Sequence, residues 1–550
     1  MGMIDGRLFI GGERIEGAEM LVSKSPATLE AVGEVSLASA AQCTQAVEAA
    51  GAAFPAWRDL AVAEKKRIFK AAGQALLDRR AEAARLISLE KGSPYPESLA
   101  VEVLGSLAIL DHYARNLERL SRTKRLQLSA PLFAHKKSAY HFQPLGATLV
   151  ISPWNFPFLI PFSDVVSALS AGNTIVLRPS TSTPLAALFL GEIFAAAGVP
   201  PGVLNVVNCR TCQAEEMVTN PKIQTVMFTG SVGVGKRIME LAGRNLTNLV
   251  LELGGKDPMI VLADADLERA ARGAVWAAFM NCGQSCASVE RVYVAREIAP
   301  AFTARIVELT KALHVGHPLE PGTDMGPMTT PGQLGTVEEH VRDARERGAR
   351  ILAGGGRVEG LPGYYHAPTV LDGVDHSMKI MTEETFGPTL PIMAVADADE
   401  AVHLANDSKY GLTASVWTRS RRAAADIAAR LQAGTVTIND HMFSFTEPKA
   451  IWGGIKETGM GRSHGPYGLL HLQNIKFVSA DFSKKKGWLW WFPYDAAKPA
   501  LLEKSMRLLF GRRIGVRAGA LAGLVPQLGT MLRGLSFRAL LKSSARLFRK

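Results

Sequence analysis

The chain has 550 residues, a formal net charge of +11, 47% hydrophobic and 21% charged residues, and five cysteines. That length calls for more than one domain and supplies ample core. Five cysteines make no disulfide framework at this size and fit a reducing compartment. The charge argues less than it suggests: residues 501–550 carry eleven Lys or Arg against one acid, Glu503, which leaves about +1 for the first 500 residues, so the basic balance describes a tail and does not argue for a nucleic-acid partner.

Read from the N-terminus, MGMIDGRLFIGGERIEG carries Asp5, Glu13 and Glu16 and lacks a long apolar core, so no secretory signal is expected. No run of 18 uninterrupted apolar residues supports a spanning helix. Short apolar, β-branched runs then read as buried strands: ATLVIS (147–152), NTIVLRP (173–179), VLNVVN (203–208), TVMFTG (225–230) and NLVLELGG (248–255). Between them PFSDVVSALSAG (161–172), PLAALFLGEIFAAAGV (184–199) and GVGKRIMELAG (233–243) have helical spacing. The alternation means βαβ units and a mostly parallel sheet. A second set follows in DPMIVLAD, RVYVA, PIMAVA, ASVWT and GTVTIND, between residues 257 and 440. Two α/β domains are therefore expected, with SAPLFAHKKSAYHFQPLG (129–146) as an excursion from the first.

Seven segments occur in a fixed order: PWNFP (153–157), LRPSTSTP (177–184), FTGSVGVGK (228–236), LELGGKDP (251–258), GQSC (283–286), EETFGP (383–388) and WGGIKETGMGRSHG (452–465). Together they resemble the signature segments of the NAD(P)-dependent aldehyde dehydrogenase superfamily, over roughly residues 20–480. The resemblance implies two Rossmann-like parallel-sheet α/β domains and a β oligomerisation arm; beyond the family body the residues themselves read as a basic C-terminal helical extension. It places a cofactor-binding domain at 1–254 (with 129–146 as the arm), a catalytic domain at 255–457, a return to the cofactor domain and an oligomerisation strand at 458–480, and the extension at 481–550. Homodimers or homotetramers are expected.

The resemblance also assigns roles. Aldehyde oxidation needs a nucleophile that makes the carbonyl carbon tetrahedral, and a thiolate serves because it attacks well and leaves easily. Cys286 takes that position, while Cys282 matches none and is expected to be structural or pocket-lining. Glu252, at the end of an apolar strand, takes the position of the base that activates water against a thioester, with a pKa raised by its surroundings. Asn155 takes the position of an oxyanion donor beside the Cys286 backbone N–H. For the cofactor the implied residues are Trp154, Arg178, Ser180, Thr181, Arg210, Gly230, Ser231, Gly235, Glu384 and Phe386. Gly230–Gly235 follow a strand and open a helix, the setting in which backbone N–H groups meet a pyrophosphate.

Two departures bear on cofactor choice. Many NAD-preferring relatives read K-P-S-E where this chain has Arg178-Pro-Ser-Thr181, and an acid there would repel a 2′-phosphate. Arg178 and Arg210 are cations suited to that phosphate, so NAD or NADP is expected, with NADP accepted. No metal is called for, and the C-x-x-C of Cys209 and Cys212 lacks a second pair. The aldehyde is left open; Met442, Phe443 and Phe445 in DHMFSFTEPKAI (440–451) hint at an apolar one. Semialdehyde-specific or CoA-acylating chemistry is an alternative, with Glu252 against the second, as is an inactive scaffold on the same fold. For the tail, Leu535–Lys550 reads as a basic amphipathic helix. Two readings stay open: peripheral contact with an anionic membrane, or packing on the body. The enzyme is expected in the cytoplasm, at the membrane surface in the first case.

Overall fold

The computed structural model describes residues 5–531 apart from 121, 130–132, 134 and 489. The chain forms two compact units, Met1–Ser121 with Gln143–Asn474, and Arg122–Phe142 with Ile475–Lys550.

The first unit holds two large sheets. In the eight-stranded sheet the spatial order is Gly459–Met460, Asn248–Glu252, Ile223–Thr229, Ala147–Ile151, Thr174–Arg178, Leu204–Val206, Leu8–Ile10 and Glu13–Ile15. The inner strands run parallel, and antiparallel strands close both edges. Glu252 pairs with Thr229, Phe228 with Ile151, and Ile151 with Arg178, so the residues that end these strands emerge level at one edge. That is where an open parallel sheet offers a binding crevice. Helices Leu159–Ala171 and Pro184–Ala196 are apolar on nearly every side and almost wholly buried, which explains why their sequences show little amphipathic stripe.

The second sheet has seven strands, in the order Arg350–Ala353, Thr369–Asp372, Thr389–Val395, Val289–Ala295, Asp257–Val261, Thr413–Trp417 and Thr435–Ile438. All neighbours are parallel except the first pair. Each sheet carries its own buried apolar clusters. The sequence reading passed over the hairpin of Glu19–Lys24 with Ala31–Leu37 and the helices Ala40–Asp59, Val62–Asp78 and Arg80–Lys91.

The second unit contains a three-stranded sheet with Lys137–Pro144 between Lys124–Leu126 and Gln473–Ala480. Helices Ala497–Phe510 and Ile514–Met531 pack on each other, and the first has no buried residue. The expected amphipathic helix at 535–550 lies outside the described residues. The aromatic residues of segment 488–492 fall into two groups. Trp488 stacks on His135 (centroids 4.1 Å apart) and on Trp490 (5.4 Å), and both indoles are half-buried. Trp491 and Phe492 stay exposed, Phe492 at 82%. Among the described residues no helix is long and apolar enough to cross a membrane.

Candidate active site

The loop after helix Leu267–Phe279 is built to present one sulfur. Asn281, Cys282 and Gly283 adopt left-handed conformations in succession (φ 54°, 55° and 70°). The two non-glycine residues cost about 1 kcal/mol each, and the surroundings hold them there. The Asn281 N–H donates to Glu97 Oε2 (2.9 Å), and Asn281 Nδ2 donates to the carbonyls of Asn155 (2.9 Å) and Gln284 (3.0 Å). Gly283 is required: a Cβ there would lie 2.1 Å from the Gly387 carbonyl oxygen. Cys282 is spent on packing, 2% exposed, with its Sγ 3.5 Å from Met328 Sδ.

Cys286 lies just beyond, where two cavities meet. One is a cleft of about 200 Å³ whose lining includes Trp154, Asn155, Gly230, Ser231, Glu384 and Phe386. The other is a smaller apolar pocket of about 40 Å³, lined by Phe156, Leu159, Met442, Phe445 and Trp452 among others. Cys286 lines both. Phe443, the third apolar residue of that loop, is exposed instead. Burial, with Asp257, Glu384 and Glu252 nearby, pushes the Cys286 thiol well above its ordinary value, so the resting group is a neutral thiol.

Asn155 is 3% exposed, and its amide donates one hydrogen to the Gln284 carbonyl at 3.0 Å, which fixes the side chain and leaves a second N–H. The Cys286 backbone N–H is bound to no other backbone carbonyl among the described residues. The segment carrying Asn155 is anchored by a residue the sequence reading missed. Glu102 accepts the N–H groups of Phe158 and Leu159 (2.9 and 3.0 Å) and is ion-paired to Lys91 at 2.7 Å, with both side chains buried. A buried acid at a helix start satisfies orphan donors and the dipole together.

The cleft's other wall is the start of helix Val232–Ala242. Ser231 is its N-cap, and its hydroxyl makes no capping bond. Gly230 and Ser231 line the cleft, so first-turn N–H groups and a free hydroxyl face it, as a pyrophosphate requires. Opposite, Glu384 Oε1 accepts the Gly255 N–H at 2.9 Å, and a Cβ on Gly254 would lie 2.5 Å from Oε2. Burial and the nearby Glu290 raise Glu384 to about 8. Phe386 is held at φ 51°, edge-on to Trp154 at 5.5 Å. Glu290, also missed, accepts the N–H groups of Thr385 and Phe386 (2.8 and 3.0 Å) and pairs with buried Lys256 at 2.6 Å. A Glu inside the apolar strand Val289–Ala295 is the signal that would have found this pair. Gln333 and Thr336, from helix Pro331–Glu346, complete the cleft.

Other expected residues stand apart from this cleft. Glu252 lines neither cavity: the residues after it, Leu253 and Gly254, reach the cleft, while its own carboxylate packs against Gly453. Burial first, then Asp164, raise Glu252 to about 8. Gly235 packs on the strand side, where a Cβ would meet Leu253 Cδ2 at 2.5 Å. Arg178 donates to the Cys209 carbonyl at 2.9 Å, Ser180 Oγ accepts the Ser182 N–H at 3.2 Å, and Arg210 is ion-paired with Glu19. These residues and Thr181 do not line the cleft. Among the described residues no group of three or more His, Cys, Asp and Glu is arranged to hold a metal.

The sequence pattern of the aldehyde dehydrogenase family matches residues 15–478. Among solved structures the chain is similar to an NADP-dependent enzyme of E. coli (33% identity, TM-score 0.83, over 86% of this chain and 98% of that one). It is also similar to an aldehyde dehydrogenase of Mycobacterium tuberculosis complexed with NAD+ (35%, 0.82, 86% and 97%). A third is betaine aldehyde dehydrogenase of Staphylococcus aureus, in complex with NAD+ (30%, 0.83, 89% and 97%).

Proposed function

The chain belongs to the aldehyde dehydrogenase family, NAD(P)-dependent oxidoreductases, and from that premise we propose that it oxidises an apolar aldehyde to the free acid through a covalent adduct on Cys286. The observation that carries this reading is the place of one thiol: Cys286 lines both the cleft that ends at a helix N-terminus and the small pocket of Phe156, Leu159, Met442, Phe445 and Trp452.

An aldehyde seated in the apolar pocket brings its carbonyl carbon to Sγ. The thiol gives up its proton to solvent water in the open cleft as the C–S bond forms, and the second Asn155 N–H and the Cys286 backbone N–H hold the oxyanion; one such donor is worth about 3 kcal/mol. A nicotinamide cofactor in the cleft would supply the hydride acceptor. Gly230, Ser231 and the helix behind them would hold its pyrophosphate, Glu384 its ribose, and Trp154 with Phe386 its nicotinamide end. Once the carbonyl carbon has lost hydride, Glu252 deprotonates a water that attacks the thioester, and the Cys286 thiolate leaves. Glu252 favours water as acyl acceptor over coenzyme A. NADP is accepted beside NAD: Thr181 offers no acid to repel a 2′-phosphate, and Arg178 forms no ion pair among the described residues, whereas Arg210 is held by Glu19. The test is nicotinamide reduction over aldehydes graded by chain length, with each cofactor and without coenzyme A. Rates should rise with apolar length, and an absolute need for coenzyme A contradicts the reading.

The second unit supports two further parts of the proposal. Strand Gln473–Ala480 is a sheet edge with Ile475, Phe477 and Val478 exposed, which suits pairing with another copy in a dimer or tetramer. Residues 482–522 carry nine Lys or Arg against two acids, with Phe510 77% and Ile514 82% exposed. That combination suits an anionic membrane surface, where membrane-dissolved aldehydes are found. Flotation with anionic liposomes should recover the full chain and not a chain ending near residue 485; equal recovery rejects the membrane contact.

A further inference from the structure

The two oxyanion donors, the Asn155 amide and the Cys286 backbone N–H, stand on segments far apart in the chain, so their spacing has to be set by a contact between those segments. Asn281 makes that contact. It is 2% exposed, and its side-chain nitrogen donates to the backbone carbonyl of Asn155 at 2.9 Å and to that of Gln284, two residues before Cys286, at 3.0 Å. Both neighbours are carbonyl oxygens, so the nitrogen faces them and both of its hydrogens are used. One NH2 group thus bridges the segment that carries the Asn155 amide and the segment that carries the Cys286 N–H. The Asn155 amide meets the same Gln284 carbonyl at 3.0 Å, which leaves its second N–H aimed from a fixed base.

The bridge is held through its own backbone. Asn281 sits at φ 54° and ψ 32°, a left-handed conformation that Asn tolerates better than most side chains. Its N–H donates to Glu97 Oε2 at 2.9 Å, and Glu97 Oε1 is buried with no hydrogen-bond partner, so among the described residues this carboxylate serves Asn281 alone. The Asn281 carbonyl accepts Gln284 Nε2 at 2.9 Å, and Gln284 Oε1 accepts the Thr329 N–H at 2.8 Å. Thr329 Oγ1 donates to the Lys91 carbonyl at 2.8 Å, and the Lys91 ammonium pairs with Glu102, which holds the N–H groups of Phe158 and Leu159. Those two residues continue the Asn155 segment, so the hydrogen bonds close a ring that runs through Asn281. A ring of satisfied, buried polar groups rigidifies the segments it joins.

We propose that Asn281 is the positioning residue of the oxyanion site: its side-chain NH2 fixes the distance between the Asn155 amide and the Cys286 backbone N–H, so that both reach the same oxygen. It is not a catalytic residue, because both of its hydrogens go to protein carbonyls and neither is left for the oxyanion. Its effect on the reaction therefore passes through Asn155. The proposal rests on the reading of Asn155 and the Cys286 N–H as oxyanion donors. A donor displaced by about 1 Å from the oxygen it serves costs about 10²-fold in rate, and the bridge guards against a displacement of that size.

The experiment is a double-mutant cycle on the full-length enzyme, reading the single-turnover rate of nicotinamide reduction with steady-state KM beside it. Asn281→Gly accepts the left-handed backbone without strain and deletes the amide. Asn281→Asp keeps the shape but turns an acceptor towards the two carbonyls, and it covers a folding failure of the first variant. Either should lower the rate about 10²-fold with KM nearly unchanged, and by less than about threefold in an Asn155→Ala background. Alkylation of Cys286 by iodoacetamide, which forms no oxyanion, should keep its unaltered rate. An equal loss in both backgrounds, no loss with Asn155 present, or alkylation slowed in step with turnover overturns the positioning role and leaves Asn155 as donor. Asn155→Ala at full rate, with Cys286→Ala inactive, overturns the oxyanion reading and the positioning role together.

Discussion

Lys256–Glu290 and Glu252–Asp164 are two buried charged regions of similar composition and opposite design. Glu290 is 2% exposed, pairs with Lys256 and accepts two backbone N–H groups, so its carboxylate is matched donor for acceptor. Glu252 is 7% exposed, and neither of its carboxylate oxygens has a well-formed hydrogen bond; Asp164, the acid that raises it, forms no ion pair among the described residues. Partnered burial fixes a loop, here the one that carries Glu384 and Phe386 to the cleft. Unpartnered burial stores a proton affinity that a reaction can use. The difference lies in what surrounds each carboxylate, since both stand on parallel strands of the same chain.

That contrast is broken or sharpened by substitution, and the largest effect belongs to the unpartnered side. Glu252→Gln should lower steady-state turnover about 10²–10⁴-fold, the range of a lost general base, while a first-turnover burst of reduced nicotinamide survives. On the partnered side, Lys256→Met leaves Glu290 buried without its cation. It should cost about 3–5 kcal/mol of stability, read as a lower midpoint in denaturant.

A smaller effect separates the two regions by pH. Asp164 and Glu252 have folded-state values of about 8, above their unfolded values near 4. Their protonated forms therefore contribute stability that is fully present below pH 4 and is lost as pH rises through 8. Asp164→Asn removes that loss, so its melting temperature should gain on the unaltered protein between pH 5 and pH 9, by a few degrees. Glu290→Gln should destabilise at both pH values. Thermal melts at the two pH values check both outcomes.

Much of this site was legible before any coordinates. Gly230 and Ser231 follow an apolar strand and open a helix, and that local pattern suffices to aim N–H groups at a ligand. Cys286, Asn155 and Glu384 were found by resemblance, and the cleft brings them together. What stayed hidden depends on contacts across long stretches of chain. Glu102 and Glu290 read as unremarkable acids until Lys91 and Lys256 close on them. Cys209 read as half of a C-x-x-C, yet its thiol meets Cys43, 166 residues away, while Cys212 is exposed. Asp164 sits in a helix buried on nearly every side, so periodicity gives it no face, and among the described residues it forms no ion pair.

The central claim is that Cys286 carries the acyl group and Glu252 removes it. It is tested most directly by incubating Glu252→Gln with aldehyde and NAD+, quenching in acid and mapping the adduct by peptide mass spectrometry. The account predicts one acyl group per chain, on the peptide that contains Cys286, and none in Cys286→Ala treated the same way. An adduct on another residue, or reduced nicotinamide formed with Cys286 unmodified, would contradict it.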